Sequence, residues 1–295
     1  MSRLILIFVI RLSRRPQRQF ADIMKTATRQ RKGRITAGFI ARRYASYQRL
    51  CLMKSLLNRI RQHINRGHLL AFAQKERAVV HELDVHEAYR LWAPTYTAET
   101  ATSFLDCKLA NEMLQGLVQH RLLDAGCGVG RRIRNLPGAT GLDLSPEMIL
   151  AGEAQNVVTG DVRMMPFDSN QFDMVWCRLV LGHLATPLPA YRELARVCRP
   201  SGYVFVTDFH PEAVAAGHRR TFTDPNGTVY EIEHHVHRNH IQLAIEAGLT
   251  HVASRDGVIG PSVRDFYIHG IGIKAYKRDC GLKLVSAFLF RRPNI

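Results

Sequence analysis

Between Leu122 and Ser145 the chain reads LLDAGCGVGRRIRNLPGATGLDLS, and this stretch sets an acid and three glycines where a ligand could be cradled. Asp124 closes a short apolar run, and Gly126, Gly128 and Gly130 follow directly. Glycine tolerates positive φ and lets backbone N–H groups approach a ligand with no Cβ between them. A second apolar run ends in another acid, Asp143, seventeen residues beyond Gly126. A glycine turn for a polar tail, with a carboxylate at the next strand end for ribose hydroxyls, describes a nucleoside site. In the dinucleotide fingerprint the third glycine stands five residues after the first. Here it stands four after, and an acid precedes the turn by two residues. That spacing argues against a dinucleotide.

Two histidines fall just past later apolar runs, His183 in LVLGHL and His210 in DFHP. Both sit at expected carboxyl strand ends, so both are candidate general bases facing one cavity. Substrate orientation or plain hydrogen bonding are the competing roles. The tract His234 to His240 (HHVHRNH) invites a metal reading. Extended, it places Glu231, Glu233, His235 and His237 on one face and Tyr230, Ile232, His234 and Val236 on the other. The first set reads as a solvated face and only His234 turns inward, so no metal site is expected.

The elements that must position these residues alternate. Leu122–Ala125, the run ending at Asp143, Asn156 to Asp161 (NVVTGD), Phe172 to Cys177 and Tyr203 to Phe209 read as strands. Phe172 to Cys177 is nearly all apolar, as a strand buried on both faces is. Ser145-Pro146-Glu147-Met148 starts a helix, with Ser as N-cap and Pro at the first helical position. Leu188 to Cys198 is an amphipathic helix and Pro200-Ser201-Gly202 a turn. The helix expected after the glycine turn, RRIRNLPG, is short, which thins the cover on that side. Strand–helix alternation implies right-handed crossovers and a parallel sheet with ligands at the carboxyl ends of the strands. Beyond Pro211, Thr221 to Val236 reads as a hairpin around Asp224-Pro225-Asn226-Gly227. Asn239 to Ala247 reads as a helix stopped by Gly248, and His251 to Ile259 and Leu284 to Phe290 as an antiparallel pair. The expected organisation is a basic extension (1–75), a helical lead-in (76–118), a ligand-binding core (119–210), and a lid insertion with C-terminal strands (211–295).

The chain has 295 residues and a net charge of +16, enough length for one α/β domain with an added element. Residues 1–75 carry eighteen Lys and Arg against the single acid Asp22, whereas residues 76–295 carry twenty-three against twenty-four. The basicity therefore belongs to the extension, and a core without it argues against a phosphate-tracking groove and nucleic-acid binding. Residues 4–10, LILIFVI, fall short of a membrane span. The Arg- and Ser-rich, nearly acid-free sequence after them has transit-peptide composition. Leu50, Met53, Leu57, Ile60 and Ile64 form a helical stripe ringed by basic residues, which leaves peripheral membrane contact through 47–66 open. The expected compartment is the cytoplasm, or the mitochondrion if residues 1–75 are a transit peptide. Six scattered cysteines without paired spacing fit a reducing compartment.

The segment Asp124-Ala-Gly-Cys-Gly-Val-Gly resembles the first motif of class I S-adenosylmethionine-dependent methyltransferases. Tyr89 to Tyr96 (YRLWAPTY) resembles the Y-x-x-W-A-x-x-Y opening of small-molecule members, whose aromatics close over the cofactor. Met164-Met165-Pro166-Phe167 with Asp168 resembles the loop after the family's third strand, so the likeness runs from about Tyr89 to Pro211. It implies a doubly wound, mainly parallel seven-stranded α/β sheet and S-adenosyl-L-methionine as cofactor. Asp124, Gly126, Gly128 and Gly130 would hold the methionine end, Asp143 the ribose, and Asp161 with the Val162 N–H the adenine. Tyr96, Cys127, Leu144, Met148 and Cys177 would complete the contact set, with Met148 packed on the adenine. The fourth strand runs on as Cys177-Arg178-Leu179-Val180, without the Asp/Asn-Pro-Pro-aromatic motif of enzymes that methylate exocyclic amino groups or glutamine amides. The expectation is methyl transfer to oxygen or carbon of a small acceptor: lipid-like, quinone or acyl. An RNA or protein methyltransferase using the basic extension, and an assembly factor that keeps the fold without catalysis, stay open as alternatives.

Overall fold

The structure is a computed structural model that describes residues 81–96, 98–224 and 226–294. The basic stripe expected over 47–66 and the rest of the extension lie outside the described residues.

In chain order the first elements are β1 (His81–Leu83) and α1 (Val85–Trp92), whose N-cap Asp84 accepts hydrogen bonds from the backbone N–H of His86 and Glu87. α2 (Ala101–Met113) starts on a reciprocal capping box between Thr100 and Ser103. The core then alternates as β2 (Leu122–Ala125), β3 (Ala139–Asp143), α3 (Pro146–Leu150), β4 (Val157–Thr159), β5 (Phe172–Arg178), α4 (Leu188–Val197) and β6 (Cys198–Phe209). After it come α5 (Pro211–Ala215), β7 (Thr221–Thr223), β8 (Val229–Ile232), α6 (His240–Glu246), β9 (Thr250–Val258), α7 (Arg264–Gly270), α8 (Ile273–Asp279) and β10 (Lys283–Arg291).

Seven strands form one sheet in the order β4-β3-β2-β5-β6-β10-β9. Pairing is parallel from β4 to β6, and β10 runs antiparallel to both β6 and β9. This is the seven-stranded, mainly parallel arrangement expected. Side-chain alternation along β5 and β6 feeds two apolar layers, one on each face. Met174, Trp176 and Phe205 join Leu105 and Leu109 of α2, while Val175, Cys177, Val204 and Val206 join Tyr191 and Leu194 of α4.

Three findings differ from, or go beyond, the sequence expectation. No helix follows the glycine turn. Arg131 to Asn135 winds through turns in which the N–H groups of Ile133 and Arg134 both bond to Gly130 O. Pro137 and Gly138 arrive too soon for a further helical turn, since Pro supplies no N–H and Gly138 has a φ of 77°. The segment 264–279 carries the helical pair α7 and α8, joined through Gly272 at a φ of 95°. The hairpin of β7 and β8 is present, but β8 also pairs in parallel with β1, giving a second, three-stranded sheet β1-β8-β7. The two halves of that small sheet are separated by well over a hundred residues of chain. α1 packs under it, with Trp92 stacked on Phe222 at 5.1 Å.

Candidate active site

The glycine turn is built by positive φ at Gly126 (80°), Gly128 (57°) and Gly130 (66°). A Cβ at Gly126 would collide with Val180, and one at Gly130 with Ala154. At Gly128 a Cβ would lie 3.1 Å from Met148 Cε and 3.7 Å from Tyr96, so it would intrude on the ligand side. Across the sheet top, Leu179 adopts φ of 62°, an uncommon conformation for a branched side chain. It turns the chain after β5 so that Val180 closes over Gly126.

Around this turn lies a cleft of about 310 Å³ at the carboxyl ends of β2 to β5. Tyr96, Gly126, Cys127, Gly128, Asp143, Leu144, Met148, Asp161, Val162 and His183 line it. Asp143 is held in place by two backbone donors, Gly128 N–H at 2.6 Å and Ser145 N–H at 2.9 Å. Burial raises its carboxyl above the ordinary range, and those two donors pull it back. Arg163 occupies both oxygens of Asp161, from Nε at 3.0 Å and Nη2 at 2.6 Å, and its hydrogen bonds hold that carboxyl below its usual range. Met148 is buried between Val129 and Ala93.

Four of the expected site residues do not line the cleft. Asp124 and Cys177 are fully buried under the turn, Asp124 engaged by Arg132 and Cys177 in the apolar layer beneath α4. Gly130 serves the packing of the turn on Ala154. His210 caps α5, its Nδ1 accepting from the Glu212 N–H at 3.0 Å while Nε2 faces Asp256 at 3.7 Å. Its ring is thus spent on local structure, so of the two candidate bases only His183 reaches the cleft.

His183 is itself fully engaged. Nδ1 lies 3.1 Å from Glu233 O, which can only accept, so Nδ1 carries the proton. Nε2 therefore accepts from Tyr89 Oη at 2.9 Å, and Tyr89 in turn receives Arg220 Nη2 at 3.4 Å. Burial lowers His183 to about 3 and raises the Tyr89 phenol well above its usual value. The nearby His234 and His240 share Asp208, at 3.6 and 3.3 Å, rather than a metal, and no metal-binding cluster occurs among the described residues.

Sequence reasoning did not find the ionic cluster beneath the turn. Arg178, 3% exposed, donates to both oxygens of buried Asp106 at 3.1 and 2.8 Å. Arg132 donates to Asp124 at 3.1 and 3.3 Å and lies 3.9 Å from Asp106. Thr207 Oγ1 adds 2.7 Å to Asp106. Burial pushes the Asp106 carboxyl up, but the two guanidiniums outweigh it and hold it below its ordinary range. The available signal was an acid between Leu105 and Leu109 on the apolar face of α2.

Residues 123–206 match the family described as Methyltransferase domain. A malonyl-[acyl-carrier protein] O-methyltransferase of Dechloromonas aromatica is 30% identical over 56% of this chain and 65% of its own length. A demethylmenaquinone methyltransferase of Mycobacterium tuberculosis is 41% identical over 23% of this chain and 30% of its own. The chain therefore spans less than two thirds of the length of these relatives. Among solved structures, a methyltransferase in complex with the Haloferax volcanii Trm112 methyltransferase activator aligns over 72% of this chain and 98% of that one, with a TM-score of 0.52 at 19% identity. That likeness concerns the fold.

Two outcomes follow from this geometry. Arg178→Met strands the Asp106 carboxylate and should cost about 3–5 kcal/mol in denaturant unfolding, whereas Arg178→Met with Asp106→Leu should recover most of it. His183 binds its proton more weakly folded than unfolded, so its stabilisation is full above the unfolded value of about 6.5 and is lost as pH falls toward 3. Unfolding free energy should then fall between pH 6 and 4 more steeply in the natural chain than in His183→Gln, by up to about 1.4 kcal/mol per pH unit.

Proposed function

We propose that this chain, whose core is a class I S-adenosylmethionine-dependent methyltransferase domain, transfers a methyl group to oxygen or carbon of a small acyl or quinone-type acceptor. The observation that carries the reading is the cradle at Gly128. It is open only because no Cβ is present, and the oriented Asp143 carboxylate and buried Met148 flank it.

The donor set fits such a cofactor. Asp143, fixed by two backbone N–H groups, keeps lone pairs free for two ribose hydroxyls. Met148 and Leu144 offer an apolar wall to a purine, and the Val162 N–H stands beside Asp161 for its ring edge. Gly126 and Gly128 leave room for the methionine end, with the Asp124–Arg132 ion pair beneath the turn. Tyr96 covers the cleft from the lead-in side. When bound, S-adenosylmethionine supplies a methyl group already activated on a sulfonium. What remains for the chain is to align the acceptor and exclude water. The aromatic cover of Tyr89, Trp92 and Tyr96, whose rings lie 4.6 to 6.0 Å apart, performs the exclusion.

The RNA or protein reading rests on the basic extension, and the described cleft gives it no added support. Titration calorimetry with S-adenosylmethionine and S-adenosylhomocysteine tests the cofactor directly. Micromolar binding of both is the expected result, and none would refute the assignment. Gly128→Asp adds a side chain into the cradle and a carboxylate near that of the methionine moiety. Affinity should fall by about 100-fold or more; because Gly128 has a φ of 57° the thermal transition should fall too, so the titration is read well below the transition of the variant.

A further inference from the structure

The helical pair α7 and α8 interrupts the sheet between β9 and β10 and lines no part of the cleft. Strand register fixes where it emerges. β10 begins where β6 ends, with Val285 opposite Phe209, and Val258, the last residue of β9, lies opposite Lys283, the first of β10. Residues 259–282 therefore leave and rejoin the sheet at its carboxyl edge, the edge that bears the cleft. The root of the pair is anchored. Val263 and Tyr267 are buried, and Ala275 and Tyr276 pack on the same apolar layer as α2.

The turn between the two helices is not anchored in this way. It reads His269-Gly-Ile-Gly-Ile-Lys274, with Ile271 67% exposed and Ile273 40%. Gly270 and Gly272 flank Ile271, and a Cβ added at either would meet nothing within 4 Å. Two branched apolar side chains thus stand clear of the described chain, where water gives them no favourable partner. Cations surround them. On α8, Ile273, Lys274, Lys277 and Arg278 share the outer face, while Ala275, Tyr276 and Asp279 turn inward. Among the described residues, Lys274 and Lys277 form no ion pair, whereas each acid of the segment has a basic neighbour. Asp265 lies 3.7 Å from Arg264, and buried Asp279 is bound by Arg278 at 2.9 Å. The uncompensated charge of the outer face is positive.

Apolar points set among cations match an anionic bilayer, whose headgroups take the charge and whose acyl boundary takes the side chains. A stable protein partner would need on the order of 800 Å² of complementary surface, which a narrow turn with two apolar side chains does not offer. We propose that the turn 269–274 inserts Ile271 and Ile273 into the surface of an anionic membrane, with Lys274 and Lys277 on the headgroups. No helix among the described residues is long and apolar enough to cross a membrane, so the contact is peripheral. It brings the carboxyl edge of the sheet, and the cleft with it, to the bilayer. The contact does not depend on methyl transfer, and it is separate from the basic stripe at 47–66.

Ile271→Trp in the full chain reports this contact directly, since a bulk vesicle assay would also register the basic extension. With vesicles of phosphatidylcholine and phosphatidylglycerol, its emission should shift to the blue and be quenched by lipids brominated on the acyl chain. Trp92 and Trp176 of the natural chain supply the background to subtract. Val118→Trp is the control: Val118 is 48% exposed and lies just before β2, at the opposite edge of the sheet, so its emission should stay unchanged. Adding Lys274→Glu and Lys277→Glu to Ile271→Trp should raise the lipid concentration for half-maximal quenching by about tenfold or more. All three positions are exposed, so the thermal transition should match that of the natural chain. The proposal is overturned if Ile271→Trp is quenched no more than Val118→Trp, if neutral vesicles quench it equally, or if the two Glu substitutions leave the half-point unchanged. A blue shift that grows with protein concentration in the absence of lipid would also overturn it and assign the turn to a second copy of the chain.

Discussion

Two carboxylates and two guanidiniums are buried together under the glycine turn, and the upper half of the sheet is organised by their need for one another. Asp106 comes from α2, Asp124 from the end of β2, Arg132 from the turn, and Arg178 from the end of β5, with Thr207 of β6 closing the set. Each ion alone would cost several kcal/mol to desolvate, so none can sit where it does unless the others are in place. The cluster thereby ties a helix, three strands and a loop at one point. Where a helix would usually cover the sheet after a glycine turn, only turns are found, and Arg132 reaches down from those turns into the cluster. A short loop is anchored by charge in place of the packing that a helix would bring.

That same arrangement frames the geometry above it. With Asp124 engaged from below, the turn is free to present its upper surface, and Asp143 receives the Gly128 N–H from the next strand. Leu179 holds a left-handed conformation beside Arg178, and Val180 is thereby set across Gly126. Strained backbone next to a fixed ion pair is stable because its surroundings over-determine it.

What was legible in the sequence follows local rules. Glycine spacing, the apolar run ending at Asp143 and the Ser145-Pro146 helix start each act within a few residues and appear as read, whereas the strand expected to reach Asp161 stops at Thr159. The strands from Leu122 to Phe209 were legible because burial on both faces leaves nearly unbroken apolar runs. What was not legible depends on partners far apart in the chain. Asp106 and Arg178 are 72 residues apart, and Tyr89 and Arg220 are 131 apart. Nothing in either segment alone announces the other. His210 shows the opposite failure. It stands at a strand end, as a base would, but Pro211 starts a helix there and the ring is recruited as its cap. β1 was missed because three residues, two of them exposed, carry no periodicity, and only β8 makes them a strand.

The small sheet has a mechanical meaning. β1 leads directly into α1, which brings Tyr89 to the cleft, and β8 leads to Glu233, whose carbonyl accepts from His183 Nδ1. Because β1 and β8 are hydrogen-bonded to each other, these two segments, far apart in the chain, are fastened together at one edge of the cleft, and a force that lifts either is shared by the other.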